Sequence, residues 1–190
     1  NLALTLAPTP LVDDSLMKRK LHVFNADTGA IISSFQNPGK MGDVAWSPDG
    51  KFLAMISAAD ANDPAEGRLL IADPADGSLK DILPNYEGHV SAIEWQDKDT
   101  VMFLGAEGVW STFGEIGRDG SNRKTHIPSG QMTASTFSLS EDGQSATFVM
   151  DAPQHPAELF VMRHGDAGPT RATGSNPWLG GMQFAQQQVV

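Results

Sequence analysis

The residues of this sequence able to do chemistry are few and scattered, and their spacing excludes more than it assigns. A serine hydrolase of the α/β type needs its nucleophile within Gly-x-Ser-x-Gly, because only small flanking residues permit the strained strand-to-helix turn. The sequence contains no such motif. Five histidines (His22, His89, His126, His155 and His164) are spread along the chain, and no two stand at the i, i+4 spacing of a helical metal site. Each reads as a solvated or hydrogen-bonded structural side chain. Without cysteine there is no disulfide framework, zinc-thiolate site or thiol nucleophile. The sequence therefore assigns no catalytic, cofactor-binding or metal-binding residue, and the chain itself is expected to be non-catalytic.

Two acidic stretches invite a ligand. Asp60-Ala61-Asn62-Asp63-Pro64-Ala65-Glu66-Gly67 alternates oxygen donors as a calcium loop does, but Pro64 interrupts it. It also lacks a bidentate glutamate twelve residues from the first ligand, so it reads as a solvated loop between strands. Asp13-Asp14, after Pro8-Thr9-Pro10, reads first as a capped turn. Carboxylates on a loop can also meet a cationic substrate terminus, which makes Asp13 and Asp14 candidate substrate contacts. Trp178, in Ser175-Asn176-Pro177-Trp178-Leu179, is a large aromatic on a proline-stiffened segment and suits docking onto another domain.

The elements that must position these residues come from a repeat. Val44-Ala45-Trp46-Ser47-Pro48-Asp49-Gly50-Lys51-Phe52-Leu53-Ala54 is echoed by Ala92–Leu104 and by Phe137–Met150, with Trp46, Trp95 and Leu139 lying 49 and 44 residues apart. Periods of about 40 to 50 residues belong to β-propeller blades of four strands each. The spacing predicts an all-β chain of almost four antiparallel blades: a partial blade over 1–40, blades over 41–86, 87–130 and 131–175, and a linker over 176–190. Strands are predicted at Leu2–Ala7, Lys20–Asn25 and Ala30–Phe35 in the first unit, whose innermost strand would precede Asn1. The second unit has Asp43–Ser47, Phe52–Ala58, Arg68–Asp73 and Leu79–Leu83. The third has Ser91–Trp95, Val101–Gly105, Val109–Phe113 and Arg123–Ile127, and the fourth Thr136–Leu139, Ala146–Asp151, Glu158–Arg163 and Pro169–Ala172.

Local chemistry agrees with this plan. Pro48-Asp49-Gly50, Ala75-Asp76-Gly77, Arg118-Asp119-Gly120 and Glu141-Asp142-Gly143 end in glycine, which adopts positive φ at little cost in a tight turn. Phe52–Ile56 and Leu159–Met162 are apolar on both faces, as a strand sandwiched between neighbouring blades must be. Trp46, Trp95 and Phe137 then read as blade-to-blade packing, with Trp46 mostly buried. No segment combines a 3.6-residue period with caps, so very little helix is expected.

Composition narrows the partners. Thirteen Lys and Arg against 23 Asp and Glu give a net charge of −10, which repels nucleic-acid phosphates and anionic lipid. No apolar run approaches the roughly 18 residues of a membrane-spanning helix. The chain reads as a soluble domain, with the choice between periplasm and cytoplasm left open by its lack of cysteine. The opening Asn1-Leu2-Ala3-Leu4 has neither an initiator methionine nor a basic leader, and the closing Gln187-Gln188-Val189-Val190 has no cap. Both ends read as cuts from something longer.

With those residues in place, the sequence resembles the non-catalytic propeller of the prolyl oligopeptidase family of serine peptidases, in particular its acylaminoacyl-peptidase-like branch. Trp46-Ser47-Pro48-Asp49-Gly50-Lys51-Phe52-Leu53-Ala54 is a signature shared with TolB-like and WD40-like blades. More specific is Pro156-Ala157-Glu158-Leu159-Phe160-Val161, followed by Thr170-Arg171-Ala172-Thr173 and Asn176-Pro177-Trp178-Leu179; a similar run ends the last blade in that family and leads into the α/β-hydrolase domain.

The resemblance implies the second half of a seven- or eight-bladed propeller that caps the active site of a hydrolase domain beyond Val190. It implies a peptide as the substrate of the intact enzyme, and no catalytic residue here. A TolB-like protein-interaction propeller is the alternative. Fewer than four complete blades cannot close such a ring, so self-association through the terminal blades is expected, at Leu2–Ala7 and around Phe148 and Phe160.

Overall fold

In the computed structural model, which describes residues 1–185, the chain is almost entirely antiparallel sheet. The first blade contains β1 (Leu2–Leu6), β2 (Lys20–Phe24) and β3 (Ile31–Ser34). The second contains β4 (Met41–Trp46), β5 (Leu53–Ala58), β6 (Gly67–Ala72) and β7 (Leu79–Asp81). The third runs through β8 (His89–Trp95), β9 (Thr100–Glu107), β10 (Trp110–Gly117) and the first half of β11 (Lys124–Leu139). The second half of β11 opens the fourth blade, followed by β12 (Ser145–Ala152), β13 (His155–Arg163) and β14 (Thr170–Arg171). Within each blade the strands pair in sequence order. This is a run of β-propeller blades, as the repeat predicts. Of the linker, residues 186–190 lie outside the described residues, as do the closing Gln187–Val190.

The cores lie between blades. Along β5, Leu53 and Met55 join the cluster against the first blade, while Ala54 and Ile56 join the cluster against the third. β9 repeats the division one blade on: Val101 and Phe103 face back to the second blade, Met102 and Leu104 forward to the fourth. Alternating side chains thus serve two cores, which is why these strands read as continuous apolar runs. The turns use the chemistry assigned to them, with Gly50, Gly77, Gly120 and Gly143 at φ of +69°, +76°, +88° and +66°.

Three features differ from the sequence reading, while Trp46 is mostly buried as expected, packed on the core shared with the first blade. A six-residue helix, α1 (Val12–Met17), occupies the β1–β2 loop; it has no side-chain cap and is too short to show a period. β11 does not break between blades but crosses from one to the next, pairing with β10 at Lys124, Thr125, Ile127 and Met132 and with β12 from Thr133 onward. Finally, Phe148 and Phe160 point inward, Phe148 fully buried and Phe160 packed on the core shared with the third blade, so they cannot form an outer contact. Their neighbours Thr147, Val149, Leu159 and Val161 occupy the opposite, outward face.

A regularity also emerges that the sequence reading does not name. Each innermost strand carries a bulge near its start, between Met41 and Val44, Val90 and Ala92, and Ala134 and Thr136. In the third and fourth blades the extra residue is a serine, whose hydroxyl donates across the pair: Ser91 to the Leu104 carbonyl at 3.2 Å and Ser135 to the Val149 carbonyl at 3.4 Å. A bulge bends the strand and sharpens its twist at the point where it leaves the core.

Candidate functional site

Antiparallel order sorts the loops onto the two ends of the blades. One end carries the β1–β2 loop with α1, the β5–β6 loop 59–66 and the β12–β13 turn, and the chain returns to it after β14. Asp13, Asp14 and Trp178, which the sequence singles out separately, therefore all lie at this end. Asp14 is buried: it accepts from the Thr9 hydroxyl at 2.6 Å and pairs with Lys18 at 2.7 Å, and these contacts, led by Lys18, hold its carboxyl below the usual carboxylate range. Asp13 on the same helix turn is exposed and is the open carboxylate of the two. Trp178 is 62% exposed on the 3-10 turn Pro177–Gly181.

The segment that presents Trp178 is anchored by Glu158, one of the motif residues. Its carboxylate, completely buried, accepts from the Thr173 hydroxyl, from the Ser175 backbone N–H at 2.7 Å and hydroxyl at 3.1 Å, and from Arg171 at 2.9 Å. These donors, Thr173 foremost, lower its pKa to about 2. The Glu-Leu-x-Val and Thr-Arg-x-Thr pieces of the closing motif are thus two halves of one hydrogen-bonded clasp. The sequence shows both pieces but not their pairing, which only the β13–β14 register brings together.

The histidines separate into distinct roles. His89 Nδ1 accepts the Gly67 N–H at 2.8 Å, tying the third blade to the second. His22 Nδ1 and the Ser34 hydroxyl are 2.8 Å apart on the outer face of the first blade. Among the described residues no carboxylate is hydrogen-bonded to this ring, the third member that orients an activating base. In the acidic loop, Asp63 pairs with Lys40 at 3.2 Å and Asp60 accepts the Asn62 N–H at 2.7 Å. Among the described residues no three His, Asp or Glu side chains gather as a metal set.

At the opposite end of the blades, a cleft of about 170 Å³ opens between the third and fourth blades. Met102, Phe113 and Met162, all buried, form its apolar wall. Glu115 and His126 meet across the β10–β11 hairpin, with Oε2 and Nε2 2.6 Å apart, and Lys124 stands two residues before His126. Arg163 and His164, at the end of β13, line the other side. Sequence reasoning missed this cleft because its members belong to two blades. The available signal was the hairpin turn at Asp119-Gly120, which folds Glu115 back toward Lys124 and His126.

No protein-family model matches the chain, and no curated protein sequence matches it. Solved structures do match in fold. The acylaminoacyl peptidase of Pyrococcus horikoshii aligns over 94% of this chain and 26% of its own at 14% identity, with a TM-score of 0.64. TolB from Acinetobacter baumannii aligns over 91% of this chain and 41% of its own at 15% identity and a TM-score of 0.61. The β-propeller domain of the trilobed protease from Pyrococcus furiosus, described as having an open velcro topology, aligns over 90% of this chain and 53% of its own at 15% identity and a TM-score of 0.58. The chain spans between about a quarter and about half of the length of these proteins. At such identities the likeness is one of fold, and that fold is the β-propeller.

Proposed function

We propose that this chain is the propeller portion of a serine peptidase of the prolyl oligopeptidase family, of the acylaminoacyl-peptidase-like branch, and that it restricts substrate access to a hydrolase domain on the same polypeptide. In this reading residues 1–40, 41–86, 87–130 and 131–175 are successive blades of a larger ring, and 176–190 is the linker toward the hydrolase domain. The observation that carries it is the clasped exit from the last blade: Glu158 pins the Arg171–Ser175 segment, and immediately beyond it Trp178 stands exposed on a proline-led turn. An indole with more than half its surface in water is costly to leave uncovered and effective as an anchor in an interface. Asp13, exposed at the same end of the blades, is the candidate contact for a cationic peptide terminus, with Asp14 holding its helix turn in place.

The alternative is a TolB-like interaction propeller, in which the same end would meet a separate protein. The two readings part on one experiment. The reading frame is extended past Val190 and the longer protein assayed on short chromogenic peptides and on a folded protein substrate. The peptidase reading expects a Gly-x-Ser-x-Gly segment, cleavage of the short peptides alone, and loss of that size selection in Trp178→Ala. A frame without the motif and a protein without turnover would reject it. The 190-residue chain alone is expected to turn over neither substrate, having no activated nucleophile.

A further inference from the structure

The cleft between the third and fourth blades holds two cations that have no partner. Seven of the thirteen lysines and arginines pair with carboxylates, Lys20 and Lys80 donate to backbone carbonyls, and Arg123 lies over the Tyr86 ring. Among the described residues only Arg19, Lys124 and Arg163 have none of these partners, and Lys124 and Arg163 line the same cleft. Both side chains are exposed at the rim of the cavity, so each can turn onto a negative group that enters it, a local attraction that acts against the longer-range repulsion from a net charge of −10. Glu115, the one carboxylate lining the cleft, is engaged by His126 at 2.6 Å.

We propose that this cleft binds a carboxylate carried on a single apolar group, either the C-terminal residue of a peptide or a free small organic acid. The apolar part lies against Met102, Phe113 and Met162, and the carboxylate lies between Arg163, whose guanidinium fork matches two carboxylate oxygens, and Lys124. A volume of about 170 Å³ is below the roughly 300 to 1,000 Å³ of sites for drug-sized ligands, which limits the apolar part to one side chain or ring. The cleft belongs to this chain alone and requires no hydrolase domain, so its test is independent of the proposed peptidase role.

The test is a titration of the 190-residue chain labelled at its methionine methyl groups, followed by NMR. N-acetylphenylalanine should shift the Met102 and Met162 signals saturably, whereas N-acetylphenylalaninamide should bind at least about tenfold more weakly, and acetate, lacking the apolar body, likewise. The double variant Lys124→Gln, Arg163→Gln should lose at least about tenfold in affinity for the acid, while Glu115→Gln should gain. Circular dichroism of each variant verifies the fold. Equal binding of acid and amide, unchanged affinity in the double variant, or shifts at methionines outside the cleft would overturn the proposal. If 3-phenylpropanoate binds as well as N-acetylphenylalanine, the ligand is a free organic acid; if a dipeptide ending in phenylalanine binds more tightly than both, it is a peptide C terminus.

Discussion

Trp46 and Trp95 hold the same place in successive blades, each ending the innermost strand opposite the first residues of the next one, and the structure treats them differently. Trp46 pairs with Leu53 and Trp95 with Val101. Trp95 is 8% exposed, packs on the second blade and donates its indole N–H to the Ala45 carbonyl on the innermost strand of that blade, at 3.0 Å. Trp46 faces the first blade, whose three strands correspond to the second to fourth of a full blade, and among the described residues no innermost strand covers it. The repeat places a residue, and the neighbouring blade decides how deeply that residue is buried.

Substitution should expose the difference. Trp95→Ala removes a buried aromatic and an inter-blade hydrogen bond and is expected to cost about 3 to 5 kcal/mol. Trp46→Ala should cost roughly 1.5 to 3 kcal/mol, because it is less deeply covered than Trp95 and part of its surface is already in water. Urea denaturation of both variants measures the gap. Equal losses would mean that Trp46 is covered in solution, as it would be if a second copy of the chain supplied the missing wall.

A second contrast lies between the two ends of the chain. The segment leaving the N-terminal blade is held by a neutral amide, the buried Asn37, which donates to the Arg19 and Gly39 carbonyls at 3.1 and 2.8 Å, whereas the C-terminal segment hangs on the Glu158 carboxylate. The Glu158 pKa is depressed in the folded state, so its contribution is fully present above the ordinary carboxylate value of 4.5 and is lost as pH falls from there through about 2. Acidification through this window should release the Arg171–Ser175 segment first, seen as lost amide protection there and a change in Trp178 fluorescence. The strands of the second and third blades should keep their protection. Glu158→Gln should show the released state already at neutral pH and flatten the response. A segment that stays protected in the glutamine variant would show that β14 pairing, not the clasp, holds it.

These contrasts also show what the sequence makes legible. Strand positions are readable because short apolar runs, covered on both faces by neighbouring blades, are separated by turns that carry glycine at fixed offsets, so apart from the unbroken β11 the strands are found within a few residues. Three things are not readable. The α1 helix is stabilised by the Thr9 and Lys18 contacts of Asp14, not by any periodic face. The unbroken β11 has polar, exposed residues at its centre, which look like a loop. The cleft and the clasp each join residues from different strands, whose proximity follows from register and not from local pattern.

The outward faces of the terminal blades differ as well. On the first blade Leu2, Leu4 and Leu6 are 50%, 41% and 43% exposed beside Ile32 and around the His22–Ser34 pair, whereas among the described strands of the fourth blade Leu159, at 39%, is the one large aliphatic so exposed. The blades therefore form an open array and not a closed four-bladed ring, and the N-terminal face should drive self-association. Light scattering at increasing concentration should show oligomers that Leu4→Glu disperses, while Val149→Glu on the fourth blade has the smaller effect. A monomer at high concentration, or an equal response to both, would reject this asymmetry.

The smallest expected effect compares one turn in two settings. Gly50 and Gly143 both close the hairpin after the innermost strand, at φ of +69° and +66°, where a side chain costs roughly 1 to 2 kcal/mol. A Cβ at Gly50 meets nothing within 4 Å, so Gly50→Ala should cost about 1 kcal/mol from backbone strain alone. A Cβ at Gly143 would lie 2.9 Å from both the Gln96 carbonyl oxygen and its Cγ. Gln96 also donates its side-chain amide to the Gly143 carbonyl at 3.0 Å, a bond that joins the third blade to the fourth. Gly143→Ala must therefore displace Gln96 as well as strain the turn, and should cost about 1 kcal/mol more than Gly50→Ala, the net worth of the strained bond. Parallel thermal and urea denaturation of the two variants measures the difference. Equal costs would mean that the contact between third and fourth blades yields without loss, and the cleft beside it would then be a soft gap between blades instead of a formed site.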